Sequence, residues 1–212
     1  TTRLASILAN PGGDAFEVTL RRLMLVDGVA PGAEGGAIRS YGKLTVTDSV
    51  FAENEAHHGG AIYVAAGSLT ASNVAFESNN ATERGGAVYA NNRTRIELQD
   101  AIFAGNVATN GGALMAGFAT NTPPADRAEI LIVDSTFEDN EATNAGAFSN
   151  YGHATVQGSH FEGNTATGSG GALYNAAGSA ALGSVAFISN SAENGAAVYN
   201  ASTFKATNGN FR

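Results

Sequence analysis

The side chains best suited to chemistry in this chain are carboxylates. Asp134, Glu138, Asp139 and Glu141 lie close together, and Glu162 recurs one sequence period after Glu138. Stacked like charges repel unless a cation intervenes, so Asp134, Glu138, Asp139 and Glu162 are the candidate ligands for a divalent ion such as Ca²⁺. Solvated turn residues are the favoured account of them, with no cofactor. Catalysis by them is disfavoured, because no Arg or Lys lies in the neighbouring columns. His57-His58 and the His153/His160 pair show no metal-ligand spacing with a third partner and read as surface turn residues. The chain has no nucleophile elbow, no P-loop and no Gly-x-Gly-x-x-Gly opening a helix. Tyr63, Tyr89, Tyr174 and Tyr199 recur in one column and would form a binding stripe if they face solvent. Met115 and Ser149 interrupt that column, which favours mixed packing at an edge.

What must position these residues is a repeat. Phe-x-x-Asn-x-Ala is followed by Gly-Gly-Ala and an apolar residue, with Phe at 51, 76, 103, 137, 161 and 187. The matching Asn residues are Asn54, Asn79, Asn106, Asn140, Asn164 and Asn190. A weaker leading copy starts at Leu25, with Gly28 in the Asn position, and a clipped one at Phe211. A period of about 25 residues without helical periodicity inside it is the signature of a solenoid. The residues seven and five before each Phe are mostly apolar, as in Leu44/Val46 and Ile96/Leu98, and this alternation marks a half-buried strand. A turn former such as Asp48, Asn73 or Asp134 stands three residues before each Phe.

The pattern predicts an all-β fold: a right-handed, single-stranded parallel β-helix, about 25 residues per coil with three short strands each. Phe51, Phe76, Phe103, Phe137, Phe161 and Phe187 should stack in the core. The Asn column should form an amide ladder at a corner, where Asn also tolerates a left-handed turn; Gly28 fits that second role. Ala145 replaces the first Gly of one pair and Ala196 the second of another. That points to small size rather than positive φ as the demand on both positions. Alternation from the apolar column places Arg39, Tyr63, Tyr89, Met115, Ser149, Tyr174 and Tyr199 outward. Residues 1–16 form a lead-in or cap with helical spacing at Leu4, Ile7 and Leu8. The β-helix spans 17–212, and one long unit ejects a loop at 117–128. That loop carries Asn121, Pro123, Pro124, Asp126 and Arg127 as candidate binding residues, since consecutive prolines cannot join a ladder.

Composition removes several function classes. Net charge is −8, against a nucleic-acid partner, which needs a basic stripe. There is no Cys for disulfide or thiolate chemistry, and no apolar run approaches a membrane span, so any membrane attachment needs a segment outside this chain. The start without Met and the stop one residue into a new unit suggest a piece of a longer solenoid.

The paired Gly-Gly-Ala-(Ile/Leu/Val) and Phe-x-x-Asn motifs resemble those of the polymorphic outer-membrane proteins of chlamydiae, over residues 25 to 212. The resemblance implies an autotransporter-passenger-like β-helix at the cell surface, in the outer membrane or outside the cell, acting as an adhesin. The expected partner is a host or neighbouring surface protein or a glycan, with end-to-end self-association as a further expectation. A non-enzymatic module, adhesive or a structural part of a surface assembly, is favoured; the alternative function is a polysaccharide-processing lyase or hydrolase, or a tailspike-like glycan binder.

Overall fold

A computed structural model describes residues 5–7, 16–118 and 122–212. Every strand pairs in parallel with its counterpart one coil away, in sheets of eight, six and fourteen strands among the described residues. The chain is a parallel β-helix. The fourteen-stranded sheet takes two arms from each coil, such as Thr94–Gln99 and Ile102–Ala104. In two coils the arms run on as single strands, Lys43–Ala52 and Gly67–Glu77, which join the arms into one sheet. The eight-stranded sheet holds the segments that follow each Gly-Gly-Ala, such as Ile62–Val64 and Val88–Ala90.

The six-stranded sheet is an addition to the expected coil. Glu55–His58, Asn80–Arg84, Val107–Asn110 and Glu141–Asn144 read as turn in the sequence. Each instead pairs with the next coil, so a coil carries four short strands. Ala5–Ile7, where helical spacing stood out, is a strand in parallel register with Ile38–Ser40. Sheet pairing with a neighbouring coil overrides a local pattern of three apolar residues; residues 1–4 and 8–15 lie outside the described part.

The core is built by like stacking on like. Phe51, Phe76, Phe103, Phe137, Phe161 and Phe187 are buried, with successive ring centroids 4.6–5.2 Å apart and nearly parallel planes. Each ring contributes roughly 2–3 kcal/mol by burial, with a further increment from stacking. Leu44, Leu69, Ile96 and Ile130 stand in one register and are buried, as the two-residue alternation requires.

The Asn column is a ladder and nothing else. Asn106 Nδ2 donates to Asn140 Oδ1 at 2.9 Å and to the Phe76 carbonyl at 2.9 Å. Its Oδ1 accepts from the Asn79 backbone N–H and from Asn79 Nδ2, both at 3.0 Å. That satisfies the amide's two donors and two lone pairs. No Asn of this column has positive φ; the left-handed residue is the one before it, including Glu53, Ser78, Gly105 and Asp139. Gly28 is likewise not left-handed. A Cβ there would fall within 3.0 Å of the Gly36 carbonyl and Asn54 Oδ1, so space excludes a side chain. The turn formers three residues before each Phe do adopt positive φ, from Asp48 and Asn73 to Ser184 and Asn208.

Size limits both positions of the Gly pair, since a Cβ on Gly59, Gly85 or Gly111 would run into the carbonyl three residues on, but the first position carries a second demand that size alone leaves out. The first position is left-handed throughout, at Gly59, Gly85, Gly111, Gly170 and Gly195, and Ala145 takes φ 58° there. The second has ordinary φ, but a Cβ on Gly86 or Gly146 would run into the backbone carbonyl of the next coil. Ala196 stands in the last corner described, with no further corner stacked on it.

Candidate functional site

With the Phe, Asn and Gly-Gly-Ala columns absorbed by packing, chemistry must come from side chains that depart from the repeat. The acidic cluster does not close. Glu138 stacks directly on Glu162, and Asp134 and Asp139 are left-handed turn residues. Their carboxylates form no group of three ligand atoms within 4.8 Å among the described residues. Glu162 instead contacts His160 at 3.2 Å.

The ejected loop folds back onto the solenoid. After Gly117, at φ 72°, the half-exposed Phe118 ring lies 3.5 Å from the Arg84 guanidinium carbon. Pro123 precedes a single 3₁₀ turn at Pro124–Asp126. Asp126 takes a bidentate pair from Arg93, at 2.8 Å for both bonds, and its carbonyl accepts from the Arg93 backbone N–H. That pairing holds the Asp126 carboxyl below the usual carboxylate range and pushes Arg93 up. His153 Nε2 reaches the Pro124 carbonyl at 3.3 Å, and Arg127 Nε donates to the Thr122 carbonyl. Asn121 lies outside the described residues. Ala125, Asp126 and Arg127 line a shallow concavity of about 390 Å³, and a second of about 370 Å³ shares Arg95 and Glu129 with it. Arg95 bridges Glu97 at 2.7 Å and Glu129 at 3.0 Å across the coils.

The Tyr column is only partly at the surface. Tyr199 is exposed and Tyr63 and Tyr174 half-buried, but Tyr89, Met115 and Ser149 are buried, contrary to the outward placement. Neither Tyr89 nor Met115 belongs to the buried apolar core, and Tyr89 is covered from outside it. Arg84 hydrogen-bonds Tyr89 while lying over Phe118, and the His58 ring approaches Tyr89 to 5.5 Å. Burial pushes the Tyr89 phenol up to about 12.

One cluster was missed by sequence reasoning. His57 and His58 end Glu55–His58 with their rings 4.3 Å apart. The next coil has one more residue between its Ala and its Gly pair, Thr82-Glu83-Arg84 against His57-His58. The register accordingly shifts between Ala81 and Arg84, and this bulge turns Glu83 toward the histidines. Glu83 Oε2 lies 3.2 Å from His57 Nε2 and 3.7 Å from His58 Nε2, while Oε1 takes Arg84 Nη2 at 2.7 Å. Burial first, then the charges of His57 and Arg84, lower the His58 pKa. The length difference between the two units was the visible signal; the partner lay a coil away.

Residues 73–91 and 158–176 match the Chlamydia polymorphic membrane protein repeat, each span covering one Phe, its Asn and the Gly-Gly-Ala corner. Those two coils are similar to the polymorphic membrane protein repeat. The family description implies outer-membrane or surface association, and the stacked coils show how such a repeat is built. No match was found among curated proteins or among solved structures.

Proposed function

We propose that this β-helix is a non-enzymatic adhesive module displayed at a bacterial surface, and that it meets its partner around residues 117–128. The observation that carries the proposal is the folding back of the one long insertion onto the coils. Arg93 holds Asp126 there, and Ala125, Asp126 and Arg127 wall one of the two concavities that share Arg95 and Glu129. Interaction sites gather where loops are held by a rigid scaffold. Arg and aromatic side chains such as Arg95 and Phe118 are the kind that anchor protein interfaces. A surface protein of the host or of a neighbouring cell is the partner class this mixture of charge and apolar surface suits.

The test is binding of the purified chain to epithelial cells, followed by flow cytometry, for wild type and the double variant Phe118→Ser/Arg95→Ala. The proposal expects saturable binding that the variant loses while its far-UV circular dichroism stays unchanged. Equal binding by both would move the contact elsewhere. Binding abolished by prior glycan removal from the cells would assign the partner as carbohydrate.

A further inference from the structure

We propose that His57, His58 and Glu83 form a binding site for a first-row transition-metal ion, with Zn²⁺ as the best match. Among the described residues this is the group of three whose ligand atoms lie within 4.8 Å of one another. Four ligands tetrahedral about zinc at roughly 2.0–2.1 Å are about 3.3 Å apart. The separations of 3.2 and 3.7 Å from Glu83 Oε2 to the two Nε2 atoms bracket that edge length. Small rotations of half-buried side chains are then enough to close the site, leaving a fourth position for water.

The surroundings are those of a ligand set. His57 Nδ1 lies 2.7 Å from the Thr82 hydroxyl, a contact that fixes the ring and directs Nε2 inward. Glu83 divides its oxygens: Oε1 is held by Arg84, leaving Oε2 to face the histidines. His58 is the side chain lacking satisfaction. Its Nδ1 is buried with no hydrogen-bond partner, and its Nε2 stops 3.7 Å short of Glu83. A cation between the rings would give that Nε2 a ligand bond. Two imidazoles with one carboxylate select zinc and its neighbours over Ca²⁺ or Mg²⁺, which require all-oxygen shells. The geometry depends on the extra residue in the Thr82-Glu83-Arg84 corner, so it is a property of this unit and not of the repeat. It is independent of the adhesive function proposed above.

The test is calorimetric titration of the purified, chelator-treated chain with ZnCl₂, with CoCl₂ in parallel to read the visible absorption of the bound ion. One Zn²⁺ per chain is expected, with no heat of binding from CaCl₂. Glu83→Gln and His58→Gln should each weaken binding by about a hundredfold. Thr82→Val, which removes the outer contact, should cost about tenfold to a hundredfold. The double variant His153→Gln/His160→Gln should bind as wild type. Absence of stoichiometric zinc binding would overturn the proposal, as would zinc affinity unchanged in both Glu83→Gln and His58→Gln. These side chains are only half-buried, and circular dichroism confirms that each variant is folded.

Discussion

Replacing Asn106 by Ala should be among the most damaging conservative changes in this chain. Asn106 is fully buried, and its amide makes four hydrogen bonds to two neighbouring coils and the Phe76 carbonyl. Removing it leaves the Asn79 backbone N–H and one hydrogen of the Asn79 amide without acceptors, and strips a donor from Phe76. Each stranded buried group costs about 1–3 kcal/mol. A water entering the vacated space would recover part of that, so a loss of about 4 kcal/mol is expected. For a chain of this length that lowers the melting temperature by about 8–16 °C. Asn190 is the internal control. It accepts the same pair of bonds from Asn164 and donates to the Phe161 carbonyl, but it is only half-buried. Water can reach the groups that Asn190→Ala exposes, and about 1 kcal/mol should be lost. Urea unfolding followed by circular dichroism, with hydrogen exchange to locate the opening in a repeat protein that need not unfold in one step, reads both values. Equal losses for the two variants, or less than about 1 kcal/mol at Asn106, would refute the ladder as the source of corner stability.

Other outcomes follow from the same geometry. Gly85→Ala places a side chain at φ 59° and against the Val88 carbonyl, and Gly86→Ala places one against the Gly112 carbonyl of the next coil, so each should cost more than about 2 kcal/mol in the same urea assay. Ala145→Gly should stabilise by about 1 kcal/mol, since it relieves a left-handed alanine. Because the folded state lowers the His58 pKa, the unfolded chain takes up that proton first on acidification. Stability is therefore complete above the ordinary value of 6.5 and is lost as pH falls toward the folded value, and His58→Gln should flatten that part of the melting-temperature profile. Ultraviolet titration should show the Tyr89 phenol ionising near pH 12, and Arg84→Ala, by removing the cation and hydrogen bond that favour the phenolate, should push that step higher still.

The scaffold was legible because stacking forces like onto like. A Phe or Asn that recurs at one phase of the period has its partner specified by the period itself, as the Phe103 and Phe137 rings show. What was not legible came from two sources. Small residues can be required for shape or for dihedral angle, and composition alone does not separate them. Ala145 suggested size alone at a position that is also left-handed, while Gly28 suggested a turn where the limit is space. Coverage is the other. Alternation correctly pointed Tyr89 away from the core, but Arg84 and the loop residue Phe118 close over that face from outside the column. The His57–His58–Glu83 corner combines both difficulties, since its third member arrives from the next coil through a bulge.

The central claim is that the repeat columns are scaffold and that adhesion resides where the repeat is interrupted. Retention of chain-coated beads on an epithelial monolayer under flow tests it most directly, with residues 119–126 replaced by a Gly/Ser linker of equal length as the comparison. The account predicts that beads carrying the unaltered chain are held and that the linker variant, with its β-helix spectrum intact, is not. Retention at the level of albumin-coated beads for the unaltered chain, or equal retention for both forms, would contradict it.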